Sequence, residues 1–512
     1  MKILIQRLIP WTHRFGWTWV LFLAAALAVE SAPHTALAQP GTFPAVMLSD
    51  LHFDPFHDPA KVPQLLKAPP EQWEAILKQP DSPTQTADFA AVQDACHAKQ
   101  LTDSPYVLLR SALQAAKAQA PGVKFVTVSG DLIVHELDCR YRAALHLDKA
   151  TSDDQSVSAA FAEKATVFVM KQVEATFPRM PVYLALGNND SRCNHNRLDV
   201  RDAYLKATGQ TVIDGLVGVS AAERVLALST YQSSGYYAVT MTAPMQKTRL
   251  LVIDDTYMMS QYANCEADAK DRKGAEEQME WLGKELDTAR QQRERVWIMG
   301  HVPPTVSPDK ALTKMKALCA AGGTTGISTF LYSDELADTL ENHADVVTLA
   351  LFGHTHMDEL HLLQAKDAAK GSGVPVKVVS SVSPVDGNLP SVTVGRVSPA
   401  SAQLVDYSVF VASNATGAAT TWAKEYGFDE TYHEPAFTAA SLEDLIGRFH
   451  SDLPGASPEA QAYEQHFYKG GGLPALALGQ YWQGYVCSLD HPTAASFKAC
   501  ACQALRPAPV KK

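Results

Sequence analysis

Several common sequence features are missing from this chain of 512 residues. It has no excess of positive charge, and its net charge of −11 argues against general binding to nucleic acid or anionic membranes. None of its eight cysteines forms a Cys-x-x-Cys pair, which argues against a structural zinc knuckle. No internal repeat is visible, and 46% apolar with 19% charged residues is the composition of an ordinary globular protein. An anionic ligand would therefore have to be captured by a local site.

The N-terminus also lacks a long hydrophobic run. Residues 17–29 form an apolar run of 13 residues, which is too short to span a bilayer comfortably. Three basic residues precede this run, and Ala-Leu-Ala at residues 36–38 supplies the small residues that a signal peptidase reads. We interpret residues 1–38 as a signal peptide cleaved after Ala38, with an uncleaved N-terminal anchor as the alternative. In either case the rest of the chain is expected to be exported, to the periplasm or out of the cell.

The eight cysteines agree with export, because an even number in an exported chain favours disulfide bonds. Their spacing does not determine how they are connected. We predict that Cys487 pairs with Cys500 or Cys502, and that Cys265 pairs with Cys319.

Strand-like and helix-like segments alternate along residues 43–355, and further strands follow. This order predicts an α/β fold, a β-sandwich of two mixed sheets flanked by helices. The predicted strands are residues 43–48, 124–129, 181–186, 235–240, 249–254, 295–299, 344–350, 374–380, 391–394 and 402–408, and the predicted helices are residues 105–120, 156–177 and 273–291. Residues 56–103 are expected to form a long loop with short helices, and residues 412–505 a C-terminal helical subdomain beside a main domain of residues 43–411.

Five of the predicted strands run into short turns that carry metal-ligand residue types. The five turns are Asp50-x-His52, Gly130-Asp131, Gly187-Asn188, Gly300-His301 and Gly353-His354-x-His356. Each turn alone is also ordinary turn chemistry. Together they place ligands at the carboxyl ends of strands, where sites form in α/β sheets. An aspartate such as Asp131 can bridge two cations, and the Asn188 carbonyl oxygen can bind a metal without adding negative charge.

The five turns and their order resemble the calcineurin-like metallophosphoesterases over about residues 43–410. That family has two sheets flanked by helices and a site with two metal ions. The resemblance implies one metal held by Asp50, His52, Asp131 and His356, and a second held by Asp131, Asn188, His301 and His354, with Asp131 bridging.

Within that superfamily the chain is similar to the acid sphingomyelinase-like phosphodiesterases. The similarity lies in Gly130-Asp131 followed by His135, in residues 300–304 and 352–359, and in a helical C-terminal piece that contains cysteines. This branch is typically exported and zinc-dependent, so zinc is the expected metal, with iron or manganese as alternatives.

One position departs from the family. Asn189 stands where the family usually has a histidine that stabilises the transition state or protonates the leaving group. Endopolyphosphatase relatives look similar in their Gly-Asn-Asn-Asp turn, often with a His-Asn pair downstream, as His195-Asn196 stands here. Those relatives tend not to keep the second histidine corresponding to His356. Two substrate classes therefore remain open.

The resemblance implies a mechanism in which two metal ions activate a bridging hydroxide that attacks phosphorus in line with the leaving oxygen. His135 is the first candidate for contacting the phosphoryl oxygen or the leaving group, with the orientation of a metal ligand as its alternative role. His195 is the second candidate, with a surface-loop histidine as the alternative.

The leading hypothesis is an exported phosphodiesterase acting on a phospholipid headgroup or a nucleotide-like substrate. The alternatives are an endopolyphosphatase or phosphomonoesterase on the same metals, and a non-catalytic binding protein with a vestigial site. The intact ligand set counts against the last alternative. The sequence indicates no nucleic-acid-binding module, no transmembrane span in the mature chain and no obligate protein partner.

Overall fold

Fourteen strands form the framework on which the predicted site is built. The computed structural model describes residues 41–96, 102–147, 152–265, 270–320, 322–324, 326–469 and 478–504, so the predicted signal peptide, residues 1–38, lies outside the described residues. The strands are β1 Phe43–Leu48, β2 Val126–Ser129, β3 Val182–Ala185, β4 Tyr237–Thr240, β5 Thr248–Val252, β6 Arg295–Met299, β7 Val306–Ser307, β8 Ser328–Thr329, β9 Val347–Phe352, β10 Glu359–Gln364, β11 Gly373–Val378, β12 Ser391–Val397, β13 Leu404–Ala412 and β14 Trp422–Gly427.

Two six-stranded sheets result, and both are mixed. The first has the order β14-β13-β12-β1-β2-β3, with β1, β2 and β3 parallel to one another. The second has the order β10-β11-β9-β6-β5-β4, with β9, β6 and β5 parallel. β7 and β8 form a separate two-stranded ribbon. The predicted two-sheet α/β architecture is confirmed.

Alternation along β6 shows how the sheets bury their apolar residues. Trp297 and Met299 contribute to a core that also contains Val46 of β1 and Val128 of β2, so this core joins the two sheets. Ile298, the residue between them, belongs to a second core on the other face. Successive strand residues point to opposite faces, and strands buried on both faces read as continuous apolar runs.

The helices are α1 Val62–Lys67, α2 Pro70–Leu77, α3 Gln85–Ala95, α4 Tyr106–Gln119, α5 Leu137–Ala144, α6 Ser152–Thr176, α7 Ala203–Asp214, α8 Ala221–Ser234, α9 Lys273–Gln292, α10 Asp309–Leu312, α11 Met315–Ala320, α12 Glu335–Asn342, α13 Phe428–Tyr432, α14 Ala439–Ser451, α15 Pro458–Phe467, α16 Trp482–Tyr485, α17 Cys487–Asp490 and α18 Ala494–Ala504. Short 3-10 helices occur at Pro59–Lys61, Asp255–Met258 and Ala368–Lys370. Within the described residues, none of these helices is both long enough and apolar enough to cross a membrane.

All ten predicted strands and all three predicted helices are present, with shifted ends, and residues 56–103 contain the expected short helices. The sequence analysis missed four strands, β7, β8, β10 and β14, and six helices, α5, α7, α8, α10, α11 and α12. β14 contains Ala, Lys and Glu, which are weak strand formers, and it forms only because it pairs with β13. Residues 412–505 are therefore not helical throughout, and helix begins only after Gly427. The domain boundary at residue 411 stays a prediction.

All eight cysteines form disulfide bonds, but one predicted pairing is wrong. The pairs are Cys96–Cys139, Cys193–Cys265, Cys319–Cys502 and Cys487–Cys500. The Cys487–Cys500 pairing is confirmed. Cys265 pairs with Cys193 instead of Cys319 because residues 197–198 lie beside Ala263, and this contact could not be read from spacing.

Buried charges connect β11 to the C-terminal part of the chain. The carboxylate of Asp358, directly before β10, forms buried ion pairs with Lys377 and with Lys469, whose Nζ lies 2.7 Å from Oδ2. Lys377 also donates to the carbonyl oxygen of Val378 at 2.7 Å, and both lysines are fully buried. Because Asp358 follows the turn that carries two predicted ligands, this network holds that turn against the C-terminal helices.

We predict that Lys377→Met lowers the free energy of unfolding by about 3–5 kcal/mol, because it removes one partner of a buried ion pair. Urea denaturation measures the change. The control is Lys366→Met, which removes the exposed pair with Asp338 and should cost at most about 1 kcal/mol. Equal losses in the two variants would contradict a structural role for the buried network.

Candidate metal centre

The five ligand-bearing turns meet at one end of the two sheets. β1, β2 and β3 deliver three of them from the first sheet, and β6 and β9 deliver two from the second. Two contacts between the sheets show that the turns adjoin. Nδ1 of His301 donates to the carbonyl oxygen of Ser129 at 2.7 Å, and the amide of His354 donates to the Asp50 carboxylate at 3.2 Å.

The backbone at the site adopts a conformation that most residues avoid. Positive φ angles occur at Asp50 (49°), His52 (39°), Asp131 (53°), His354 (71°) and His356 (63°). Left-handed backbone at residues other than glycine is strained, and such strain collects at functional sites. Here it turns five of the seven predicted ligands towards a common point.

Two glycines permit a close approach that no other residue would allow. A Cβ atom on Gly353 would lie 1.9 Å from Oγ of Ser49 and 2.6 Å from Oδ2 of Asp50. A Cβ atom on Gly187 would lie 2.2 Å from Oδ1 of Asp131. The sequence pattern of glycine directly before a ligand therefore reflects the small space around the two carboxylates.

One half of the site gathers around Asp50. Oδ1 of Asp50 lies 3.4 Å from Nε2 of His356 and 3.8 Å from Nε2 of His52. The two histidine Nε2 atoms lie 3.1 Å apart. Oδ2 of Asp131 lies 3.4 Å from Nε2 of His52. The predicted ligands of the first metal therefore converge.

The other half gathers around Asn188. Its Oδ1 lies 3.0 Å from Nε2 of His301 and 2.8 Å from Nδ1 of His354. Nε2 of His301 lies 3.3 Å from Oδ2 of Asp131. The same carboxylate oxygen thus faces both halves, as the predicted bridging role requires.

The hydrogen bonds of the histidines show that these residues fit metal ions. Nδ1 of His52 and Nδ1 of His301 each donate to a buried backbone carbonyl oxygen, at 3.1 and 2.7 Å. In a neutral ring, Nε2 then carries a lone pair. His52 Nε2 faces His356 Nε2, and His301 Nε2 faces the Asn188 carbonyl oxygen. Nε2 of each ring is thus aimed at another metal-ligand atom, and histidines anchored through a carbonyl oxygen are typical metal ligands.

The electrostatics of the site also favour cations. Burial lowers the pKa of His301, but the carboxylates of Asp131 and Asp50 outweigh burial and raise it to about 10. Burial also lowers the pKa of His52, but the Asp131 carboxylate outweighs burial, so the pKa of His52 is raised. Burial raises the pKa of Asp131, yet the His301 and His52 rings hold it well below its usual range. Two ionised carboxylates in a buried site create a negative potential that attracts positive charge.

Asn189 does not face the open side of the site. Its amide N–H donates to Oδ1 of Asp131 at 2.8 Å, and its side-chain Nδ2 donates to Oδ2 at 2.7 Å. The side chain is buried. Asn189 thus holds both oxygens of the bridging carboxylate, a position that the sequence comparison with the family histidine did not indicate.

Two further carboxylates that the sequence analysis missed brace the turns. Asp190 accepts the amides of Leu132 and Gly187 at 2.8 and 2.9 Å, and burial together with Asp131 raises its pKa to about 7. Asp255 accepts the amide of His301 at 3.0 Å. Asp190 was visible as the last residue of the Gly-Asn-Asn-Asp turn, whereas nothing local in the sequence marks Asp255.

The two candidate catalytic histidines lie in different places. The His135 ring stacks on His52 with 3.9 Å between the ring centres, and its side chain is 31% exposed. Nε2 of His195 lies 2.8 Å from Oε2 of Glu136 at the rim, where its side chain is 43% exposed. The structure therefore brings His135 to the ligand cluster and leaves His195 outside it.

A second group of metal-ligand residue types lies in the C-terminal helices. Nε2 of His450 lies 3.0 Å from Oδ1 of Asp490, and Nδ1 of His491 lies 2.6 Å from the same oxygen. Here each imidazole N–H meets a carboxylate acceptor, so the group is satisfied without a cation. At the predicted metal centre, by contrast, the Nε2 atoms of His52 and His356 face each other.

We predict that Gly353→Ala lowers the metal content of the purified protein from two ions per chain to one or fewer. The added Cβ atom would displace the Asp50 carboxylate, which faces His52 and His356. Metal analysis of the protein after gel filtration measures the effect.

The matched control is Gly283→Ala in α9, where an added Cβ atom meets nothing within 4 Å. This variant should keep the wild-type metal content. A Gly353→Ala protein that also retains two ions would show that Asp50 is not a ligand.

Comparisons with known proteins agree with this geometry. The family described as Calcineurin-like phosphoesterase matches residues 43–358. Acid sphingomyelinase-like phosphodiesterase 3b of Homo sapiens is 23% identical over 433 residues, which are 81% of this chain and 81% of that protein. Cyclic GMP-AMP phosphodiesterase SMPDL3A of Homo sapiens is 24% identical over 361 residues, 68% of this chain and 70% of that protein.

Among solved structures, a dimetal phosphatase from Danio rerio matches with a TM-score of 0.40 and 13% identity, covering 75% of this chain and 99% of the other. This likeness is too weak to carry an inference. The family match, in contrast, spans more than half of the chain and includes all five ligand-bearing turns. The chain belongs to the calcineurin-like phosphoesterases.

Proposed function

We propose that this metal-dependent phosphoester hydrolase cleaves phosphodiesters, with a phospholipid headgroup or a nucleotide-like group as substrate. The observation that carries the proposal is the position of the Asp131 carboxylate between two sets of metal-ligand side chains. The proposed ligands are those of the sequence analysis: Asp50, His52, Asp131 and His356 for one ion, and Asp131, Asn188, His301 and His354 for the other.

When bound, two divalent ions supply a hydroxide nucleophile at neutral pH and offset the negative charge of the phosphoryl group. Side chains and backbone groups of the chain fix the orientation of the ligand residues. Asn189 fixes both oxygens of Asp131, and the carbonyl oxygens that accept from His52 and His301 fix the orientation of two rings. These residues are buried, so the geometry is set before substrate arrives.

Two relatives support a diester over a polyphosphate or a monoester as the substrate. Both Homo sapiens relatives are named phosphodiesterases.

Among the candidate catalytic residues, His135 is best placed to contact substrate. Its ring lies against the His52 ring, and part of it is exposed. We assign His135 the contact with the phosphoryl oxygen or the leaving oxygen. Asn189 orients Asp131. His195 pairs with Glu136 at the rim of the site, where His195 can contact the group that the phosphate carries.

The chain is suited to export, and we propose that it is exported after cleavage following Ala38. Eight cysteines in four disulfides are typical of proteins that fold in an oxidising compartment. N-terminal sequencing of the protein recovered from outside the cytoplasm should then begin at Gln39. A chain that retains residues 1–38 would support the anchor instead.

We predict that the purified protein cleaves bis-p-nitrophenyl phosphate faster than p-nitrophenyl phosphate, and that a chelator abolishes both activities. Asp131→Asn should lower kcat/KM by at least about 10²–10³-fold, because it removes charge from the point that both ions share. Release of p-nitrophenol measures all three results.

The matched control is Asp214→Asn, which makes the same chemical change at an exposed carboxylate paired with Arg224 and should leave activity unchanged. A preference for the monoester would move the assignment to a phosphomonoesterase. If neither ester is cleaved, hydrolysis of polyphosphate by the metal-loaded protein would identify a polyphosphatase, and its absence would leave a binding protein.

A further inference from the structure

A buried carboxylate that the proposed chemistry does not use lies behind His135. Nδ1 of His135 lies 3.0 Å from Oδ1 and 3.1 Å from Oδ2 of Asp103. The backbone amide of His135 donates to Oδ2 as well, at 3.1 Å. Both the ring and the backbone amide of His135 therefore bind the Asp103 carboxylate.

The rest of the structure fixes Asp103 firmly. Its side chain has no exposed surface, and Oγ of Ser383 donates to Oδ1 at 3.0 Å. The guanidinium of Arg140 lies 3.9 Å from Oδ2 and also donates to Asp54 at 3.1 Å. The amide of Ser383 donates to the carbonyl oxygen of Asp50. Asp103 thus connects the segment before α4, the turn after β2 and the segment after β11.

These contacts leave the His135 ring little freedom. Stacking on His52, at 3.9 Å and 19° between ring planes, fixes the plane of the ring, and Asp103 fixes its rotation. Nε2 lies on the ring edge opposite Nδ1, and no hydrogen-bond partner for it occurs within the described residues. It is the nitrogen left for a ligand.

We propose that Asp103 is a positioning residue that holds the His135 ring so that Nε2 faces the oxygen that leaves phosphorus. This inference rests on the proposed function. Asp103 takes the hydrogen bond from Nδ1–H, which leaves the opposite edge of the ring, with Nε2, to contact the departing oxygen. A misplaced ring would lose this hydrogen bond but would leave the metal ligands unchanged, so binding of substrate should suffer less than turnover.

The loss of kcat caused by Asp103→Ala should depend on the leaving group. Methyl p-nitrophenyl phosphate and methyl phenyl phosphate are diesters that differ only by a nitro group, and the phenol needs more help to leave. Asp103→Ala should lower kcat by about 10²-fold for the phenyl ester and by less than about tenfold for the nitrophenyl ester, with KM nearly unchanged in both cases. Metal content should stay at the wild-type value.

A double-mutant cycle separates positioning from a structural role. If Asp103 acts through His135, the Asp103→Ala, His135→Ala double variant should be no slower than His135→Ala alone.

Asp406→Ala is the control, because it also removes a buried carboxylate but lies in β13, away from the site. It should keep wild-type kcat with both esters. If Asp103→Ala does not fold, Asp103→Asn keeps the volume and should show the same dependence on the leaving group.

A crystal structure of the Asp103→Ala protein gives a result that does not depend on activity. The His135 ring should leave its stack on His52 or adopt several rotamers. A ring that stays in place, equal losses with both esters, a further loss in the double variant, or loss of metal would each overturn the proposal. If the wild-type protein cleaves only monoesters, the diester assignment fails by itself, and phenyl with p-nitrophenyl phosphate then tests Asp103 in the same way.

Discussion

The arrangement of this protein depends on one carboxylate placed where its two sheets meet. Oδ2 of Asp131 lies 3.4 Å from a histidine delivered by the first sheet and 3.3 Å from a histidine delivered by the second. Asn189 holds both oxygens of this carboxylate from behind. An error in the packing of one sheet on the other would separate the two halves of the site. The large core between the sheets therefore serves the geometry of the site as well as stability.

Several unfavourable features occur together at this junction, and each has a compensating contact. Five of the proposed ligands have left-handed backbone, and two carboxylates are buried without a lysine or arginine partner in the described residues. The imidazole rings, the amides of neighbouring turns and the braces formed by Asp190 and Asp255 stabilise this arrangement in the protein alone. Metal ions bound between these carboxylates and imidazole rings would add further positive charge.

Local sequence signals predicted the proposed ligands because each lies within a few residues of the end of an apolar strand. The supporting residues gave no such signal. Asp103 is 32 residues from His135, and Asp255 is 46 residues from His301, so their roles appear only when the chain is folded. The same reason explains the wrong pairing of Cys265, whose partner is 72 residues away, and the missed strand β14, which forms through its neighbour rather than its own composition.

The most direct test of this account is anomalous X-ray diffraction from crystals of the metal-loaded protein, recorded at the absorption edge of the bound metal. The account predicts two peaks per chain, one on each side of the Asp131 carboxylate, with His52 and His356 beside one and Asn188, His301 and His354 beside the other. A single peak, or two peaks that do not share Asp131, would contradict it.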